Sequence, residues 1–182
     1  LIKSKDLDKP TYPGLFEMAM KNNPQIILQG RYMMVARSLI LLIKEKKVLL
    51  IKAPQTKKIW PGYYNGLGGH VENREDILSS ARRELIEESG LECLDLTLRG
   101  IITIEVEEQQ GILMFLFSGE NILGSLRPSI EGQPEWVDVE NLRTLQVVED
   151  IPLLVEIVMN RQSLFFGHYS YDEDGKLLTR FN

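Results

Sequence analysis

Cysteine occurs once in the 182 residues, at Cys93. One thiol closes no internal disulfide, so a reducing compartment, the cytoplasm, is the expected setting, with Cys93 a small buried side chain and not a nucleophile. Long apolar runs are missing too. The longest, residues 38–43 and 112–117, fall far short of the roughly 20 residues of a membrane helix, so no membrane partner is expected. The chain opens at Leu1 without an initiator Met and without a charged-then-apolar leader, which leads us to expect an incomplete N-terminus and no secretory signal. There is no basic excess either: a net charge of −5 argues against a nucleic-acid polymer as partner. Any polyphosphate must then be attracted locally, by selected cations or bound metal, and not by the field of the whole protein.

What is present suits one enzyme domain. A chain that is 43% hydrophobic, with no internal repeat or low-complexity tract, is long enough for one sizeable core. Residues 1–30, with Pro10, Pro13 and Pro24, read as an N-terminal arm without an assigned role, and residues 31–182 as the domain. Residues 33–43 and 48–51 predict paired strands around a turn at 44–47, apolar enough for burial on both faces. Residues 60–69, WPGYYNGLGG, form a glycine-rich loop, a composition that turn formation alone would also explain. Residues 94–106 and 111–117 predict a long hairpin, and 135–137 a short strand. A helix is expected over 151–159, with Ile151, Leu154, Val155 and Val158 on its apolar face, followed by a closing hairpin of 162–171 and 176–181. This order fits a mixed sheet with helices on its faces.

The most informative stretch is residues 69–91, GHVENREDILSSARRELIEESGL. Its helix has Asn73 as expected N-cap, Glu75 and Asp76 at the positive end of the dipole, and Gly90 as left-handed C-cap. Ile77, Leu78, Ala81 and Leu85 supply an apolar stripe. Glu84, Glu87 and Glu88 stand at i, i+3 and i+4, so they share one face and should converge on a common point. Like charges so close call for a cation, and carboxylate oxygens favour Mg²⁺, with Mn²⁺ as substitute. Shared with water and substrate phosphates, such an ion points to phosphate chemistry. A solvated helix face with i, i+4 pairs would carry similar charges.

The spacing Gly, five residues, Glu, seven residues, Arg-Glu-apolar-any-Glu-Glu-any-Gly-apolar resembles the Nudix box, matched by Gly69, Glu75, Arg83, Glu84, Leu85, Glu87, Glu88, Gly90 and Leu91. The resemblance implies a Nudix hydrolase of α/β class: an α/β/α sandwich with a mixed β-sheet and a loop-helix-loop catalytic motif, which hydrolyses nucleoside diphosphates linked to another moiety. It also implies metal-ligand and base roles for Glu84, Glu87 and Glu88, a further ligand in the Gly69 carbonyl, and an orienting role for Arg83 and Glu75.

Three further places bear on substrate. Glu131, in EGQPEW, resembles a late segment that in family members supplies another ligand or base carboxylate; a loop acid facing water fits that sequence equally. Asn65, in YNGLGG, resembles the residue that reads the base in the oxidised-purine triphosphatase subgroup, an amide offering both donor and acceptor, although it also suits a turn. Glu149 and Asp150, in VEDIPLL, resemble the paired acids that face the purine there, or else they simply begin the helix at 151. The stacking aromatic of that subgroup appears as Val147 or has no counterpart. Trp60 and Trp136 are expected to pack, His70 and His168 to be packing or surface residues, and Lys57, Lys58 and Arg82 are weak candidates for meeting phosphates.

The expected activity is Mg²⁺-dependent pyrophosphohydrolysis of a small-molecule nucleotide. A nucleoside triphosphate leads, with an oxidised purine triphosphate as its narrower form, giving a monophosphate and pyrophosphate. The alternatives are ADP-ribose or another nucleoside diphosphate derivative, and a sensor of the same fold without chemistry. Residues 106–109 lack the Pro or Tyr of the branches that cleave ADP-ribose and diadenosine polyphosphates. A homodimer is left open.

Overall fold

Two four-residue segments are apolar at every position: 39–42, Leu-Ile-Leu-Leu, and 48–51, Val-Leu-Leu-Ile. Extended chain turns successive side chains to opposite faces, so such segments need cover on both sides. The computed structural model, which describes residues 30–182, supplies it. Leu39, Leu41, Val48 and Leu50 join one core cluster with Ile151, Leu154, Val155 and Val158. Ile40, Leu42, Leu49 and Ile51 join a second with Ala81 and Leu85. The first set of partners lies on helix α2 (Ile151–Asn160) and the second on helix α1 (Ile77–Ser89), so strands are layered between two helices. The N-terminal arm expected over residues 1–30 lies, apart from Gly30, outside the described residues.

Strands β1 (Met33–Ile40), β2 (Ile43–Lys44), β3 (Lys47–Lys52), β4 (Tyr64–Asn65), β5 (Leu91–Cys93), β6 (Thr97–Glu107), β7 (Gln110–Ser118), β8 (Ile122–Gly124), β9 (Gln133–Asp138), β10 (Phe165–Tyr171) and β11 (Leu177–Phe181), with a 3₁₀ turn at Val139–Asn141, complete the described elements. The larger sheet runs β1-β7-β6-β10-β11, with β1 parallel to β7, β6 parallel to β10, and both hairpins antiparallel. A second sheet holds β2, β3 and β4, with β9 on β3. Both expected hairpins and the apolar face of α2 are present, the short strand at 135–137 lengthened to β9.

The strand expected over residues 33–43 is not one strand. β1 pairs in parallel with β7, from Met33↔Gln110 to Ile40↔Phe117, and not with β3. The chain then changes sheets: Leu41 N–H still donates to Phe117 O at 2.9 Å, while, one residue on, Leu42 O accepts from Leu49 N–H at 2.9 Å. Only Ile43 and Lys44 pair back on β3, around Glu45 and Lys46 at φ 51° and 63°. Two successive residues of positive φ match the right-handed twist of a two-residue hairpin. An unbroken apolar run reports burial and is silent about the hydrogen-bonding partner, which is why the switch is invisible in it.

Helix α1 begins later than expected. Asp76, not Asn73, is its N-cap; one carboxylate oxygen accepts from Leu78 N–H and Ser79 N–H, both at 2.9 Å. Both residue types cap well, but Arg74 at φ 73° keeps the chain non-helical between them. Gly90 closes the helix at φ 75°, its N–H donating to Ile86 O. Leu85, 1% exposed, anchors α1 in the second cluster, whereas Ile86 beside it faces outward. Leu85→Ala should therefore cost about 2–5 kcal/mol in denaturant unfolding, and Ile86→Ala less than about 1. Similar losses for the two would mean that α1 is not docked through Leu85.

Candidate active site

The loop before α1 is pressed between β1 and the acidic face of the helix. Ser38 N–H donates to Gly69 O at 2.9 Å and Ile40 N–H to Leu67 O at 2.7 Å, so residues 67–70 run antiparallel along β1. Gly68, at φ 134°, donates its N–H to Glu88 Oε2 at 2.8 Å. A Cβ there would lie 2.2 Å from Ser38 O, and one on Gly69 2.4 Å from Glu84 Oε1. Only glycines let strand, loop and carboxylates approach this closely. The Gly69 carbonyl, bonded to Ser38, keeps one lone pair for another partner.

Arg83 organises the acids. Its guanidinium pairs with Glu75 at 2.8 Å, Glu84 at 2.8 Å and Glu87 at 3.1 Å, and donates to His70 O at 3.2 Å. The Arg83 hydrogen bonds hold the Glu75 carboxyl down at about 2, and Glu75 in turn raises Arg83. Glu75 thus serves as an ion-pair partner on α1 and not as a general dipole charge. Glu88 is different: it is 6% exposed, and desolvation pushes its carboxyl up to about 7, with Glu84 and Glu131 adding to the effect. Glu131 pairs with Lys57 at 2.7 Å.

Glu84, Glu87, Glu88 and Glu131 line one cleft of about 680 Å³. The expected convergence on a single point is relaxed. Among the described residues no three acidic, His or Cys side chains stand close enough to cage an ion, because Arg83 draws Glu84 and Glu87 to itself while Gly68 N–H holds Glu88. The donor set still fits a hard divalent cation: oxygen ligands only, several acids, and one of them buried at a cost that a cation would remove.

A second lobe of about 320 Å³ adjoins the first. Asn65, Glu149 and Asp150 all line it, with Ile104, Met114 and Tyr169. They meet because Tyr64 N–H donates to Gln146 O at 2.8 Å and Val148 N–H to Tyr64 O at 2.9 Å, laying residues 146–148 along β4. Val147, where the resemblance would look for a stacking aromatic, bridges Tyr64 there. Asn65 Oδ1 accepts from Gly66 N–H at 2.8 Å, so its local turn role is real, and its amide N–H groups are left for other partners. Asp150 stands at the N-cap position of α2 but makes no capping bond, and burial raises its carboxyl. Among the described residues the buried Tyr169 hydroxyl has no hydrogen-bond partner within 3.5 Å, and desolvation together with the nearby Asp150 carboxyl raises it.

Trp60 does not pack as expected. It is 50% exposed, sits at φ 53° before Pro61, and borders both lobes; Trp136 does pack, against the second core cluster. His70 is exposed along the acidic lobe, and His168 bonds Thr103 and Glu105. Of the basic candidates, Lys57 lines the acidic lobe, while Lys58 and Arg82 line neither. Sequence reasoning overlooked Arg37 and Tyr169. Arg37 borders both lobes, and its signal was a lone charge inside the apolar strand MMVARSLI.

The NUDIX domain model matches residues 33–156. The chain belongs to the NUDIX family. It is 30% identical over 135 residues to the oxidized purine nucleoside triphosphate hydrolase of Danio rerio, covering 74% of this chain and 85% of that protein. It is 27% identical over 140 residues to the uncharacterized Nudix hydrolase YvcI of Bacillus subtilis (strain 168), covering 74% and 85%. The crystal structure of a MutT protein from Bacillus halodurans superposes with a TM-score of 0.70 at 24% identity, over 82% of this chain and 98% of that one. The layered mixed-sheet architecture is thus the Nudix α/β fold, and the chain is a Nudix hydrolase, of a family that generally uses divalent metal ions such as Mg²⁺. No helix among the described residues is long and apolar enough to cross a membrane.

The burial of Glu88 sets a pH dependence. Its folded pKa, about 7, lies above the ordinary 4.5, so the folded metal-free protein holds the proton more tightly than the unfolded chain. Stability from this group is present below pH 4.5 and lost as pH rises to about 7. Metal-free Glu88→Gln should therefore match the parent near pH 4.5 and exceed it at pH 8 by on the order of 2 kcal/mol in chemical unfolding. Equal stabilities at pH 8 would mean that Glu88 ionises in the fold without strain.

Proposed function

We propose that this Nudix hydrolase is a pyrophosphohydrolase for nucleoside triphosphates, with an oxidised purine triphosphate as its narrower substrate. One observation carries the reading: an acid-lined lobe shares a stretch of wall, Arg37, Trp60, Asn65, Gly66 and Gly68, with a lobe where Asn65, Glu149 and Asp150 gather around apolar walls. That is the shape needed to hold polyphosphate on one side and a base on the other. The name of the Danio rerio relative, an oxidized purine nucleoside triphosphate hydrolase, agrees with it.

Glu84, Glu87 and Glu88, with the Gly69 carbonyl, would hold Mg²⁺, or Mn²⁺ in its place. When bound, the ion draws charge from the phosphate oxygens and acidifies the attacking water. The protein's own groups do the rest. Arg83 and Glu75 hold Glu84 and Glu87 in position, and an acid of the cleft takes the proton from water, with Glu131 the rival to the helix acids. Lys57 Nζ pairs with Glu131 at 2.7 Å and so holds that carboxylate at the cleft. In the second lobe Asn65, Glu149 and Asp150 present donors and acceptors to a base edge, with burial favouring the protonated form of Asp150. The products are a nucleoside monophosphate and pyrophosphate. We assign the activity to residues 31–182, with a small nucleotide and no nucleic-acid polymer as partner. Cytoplasmic location is supported by the buried, unpaired Cys93, whose thiol burial pushes up to about 12.

Phosphate release measured over nucleoside triphosphates, oxidised dNTPs, ADP-ribose and dinucleotides with Mg²⁺ should favour the triphosphates, and strongest turnover of ADP-ribose would replace this reading. Glu84→Gln should lower kcat by several orders of magnitude with the fold intact, since the amide keeps the shape and loses the charge. Near-normal turnover would move the chemistry away from α1. Asn65→Ala should compress the ratio of kcat/KM between purine and pyrimidine triphosphates while leaving basic hydrolysis in place. An unchanged ratio would remove Asn65 from base reading.

A further inference from the structure

The cleft has an imbalance of charge that its neighbours do not resolve. Among the described residues three Lys or Arg side chains line its two lobes: Arg37, Lys57 and Arg83. Two are committed, Lys57 to Glu131 and Arg83 to Glu75, Glu84 and Glu87. Arg37 is not; among the described residues its guanidinium has neither a salt bridge nor a side-chain hydrogen bond to another group of the protein. It is half-buried, and its place in β1 puts it on the strand face of Leu39, beside Met114 in the register with β7. It also belongs to the short stretch of wall that the acidic and apolar lobes share. Five N–H donors withdrawn in part from water and without an acceptor among the described residues are costly to maintain unless a ligand supplies the acceptors.

We propose that Arg37 is a phosphate-binding residue of this hydrolase, which grips the substrate's phosphate where it passes from the apolar lobe to the acidic one. This rests on the reading that the base occupies the first lobe and the polyphosphate the second. A planar guanidinium offers two parallel N–H groups to two phosphate oxygens and so fixes direction as well as charge; an ammonium offers only the charge. The assignment also answers how a chain of net charge −5 draws a polyanion into a cleft of carboxylates. Arg37 acts on binding and position, and the proton transfer stays with the acids.

The test uses the full chain as wild type, Arg37→Lys and Arg37→Ala, with the triphosphate turned over fastest by the wild type. With saturating Mg²⁺, Arg37→Ala should raise KM by ~10- to ~100-fold while kcat stays within about threefold, and Arg37→Lys should fall between the two. In EDTA, calorimetry with the matching nucleoside and nucleoside monophosphate gives a second readout. The variant should bind the nucleoside as the wild type does and lose the advantage of the monophosphate over it. An unchanged KM overturns the proposal, as does equal weakening of nucleoside and monophosphate, which would make Arg37 a shaper of the apolar lobe. If Arg37→Ala does not fold, Arg37→Lys carries the same two comparisons. A wild-type protein that turns over no nucleotide takes the proposed function away and this proposal with it, whereas normal turnover with an indifferent Arg37→Ala removes this proposal alone.

Discussion

Arg83 lies among three carboxylates of the same short motif, Glu75, Glu84 and Glu87, and holds all of them within 3.1 Å. Without it α1 would carry adjacent like charges on one face and the loop before it would have nothing to close against. The same guanidinium reaches the His70 carbonyl, so the ion-pair network also fixes backbone. That backbone is the segment bonded to β1, and β1 is the edge of the larger sheet. An electrostatic knot on one helix therefore sets the position of the cleft wall on the other side of the loop. Exposed ion pairs contribute little to stability, but this one is partly withdrawn from solvent and shared among several acids, conditions under which geometry is held more firmly.

Glu88 sits outside the reach of Arg83 and is the costly member of the set. Its only described hydrogen-bond donor is Gly68 N–H, and burial leaves it about half-protonated near pH 7 in the metal-free protein. Two opposed devices thus share the motif: one acid, Glu75, held ionised by an arginine, and another, Glu88, held near its midpoint by desolvation. A divalent cation favours the ionised form of every one of them.

Much of this was open to a reader of the sequence, for a definite reason. The spacing of Glu84, Glu87 and Glu88 is a local helical fact, and hairpins such as β10–β11 follow from turn residues such as Asp172 and Gly175 that act within a few positions. Failures arose where the deciding interaction was not local. Asn73 and Asp76 are both good caps, and the backbone of Arg74 between them chose. Residues 39–42 announce burial, but only the pairing with Phe117, far along the chain, determines that the segment begins in one sheet before crossing to the other. The closeness of Asn65 to Asp150 depends on residues 146–148 lying along β4, a pairing without turn or periodicity to signal it. Trp60 looked like packing because indoles usually are buried, and it is on the rim of the cleft instead.

Helix α2 starts at a residue that fits the cap position by type and declines it in fact. Asp150 leaves the first N–H groups of the helix without its carboxylate and lends that carboxylate to the apolar lobe. A helix begun this way forgoes about 1 kcal/mol that a capping side chain ordinarily provides. The local sequence and the cleft make competing claims on one side chain, a small frustration left in an otherwise consistent fold. Variation that improved the helix start at this position would gain stability and withdraw the carboxylate from the lobe, so the two trade against each other through a single rotamer.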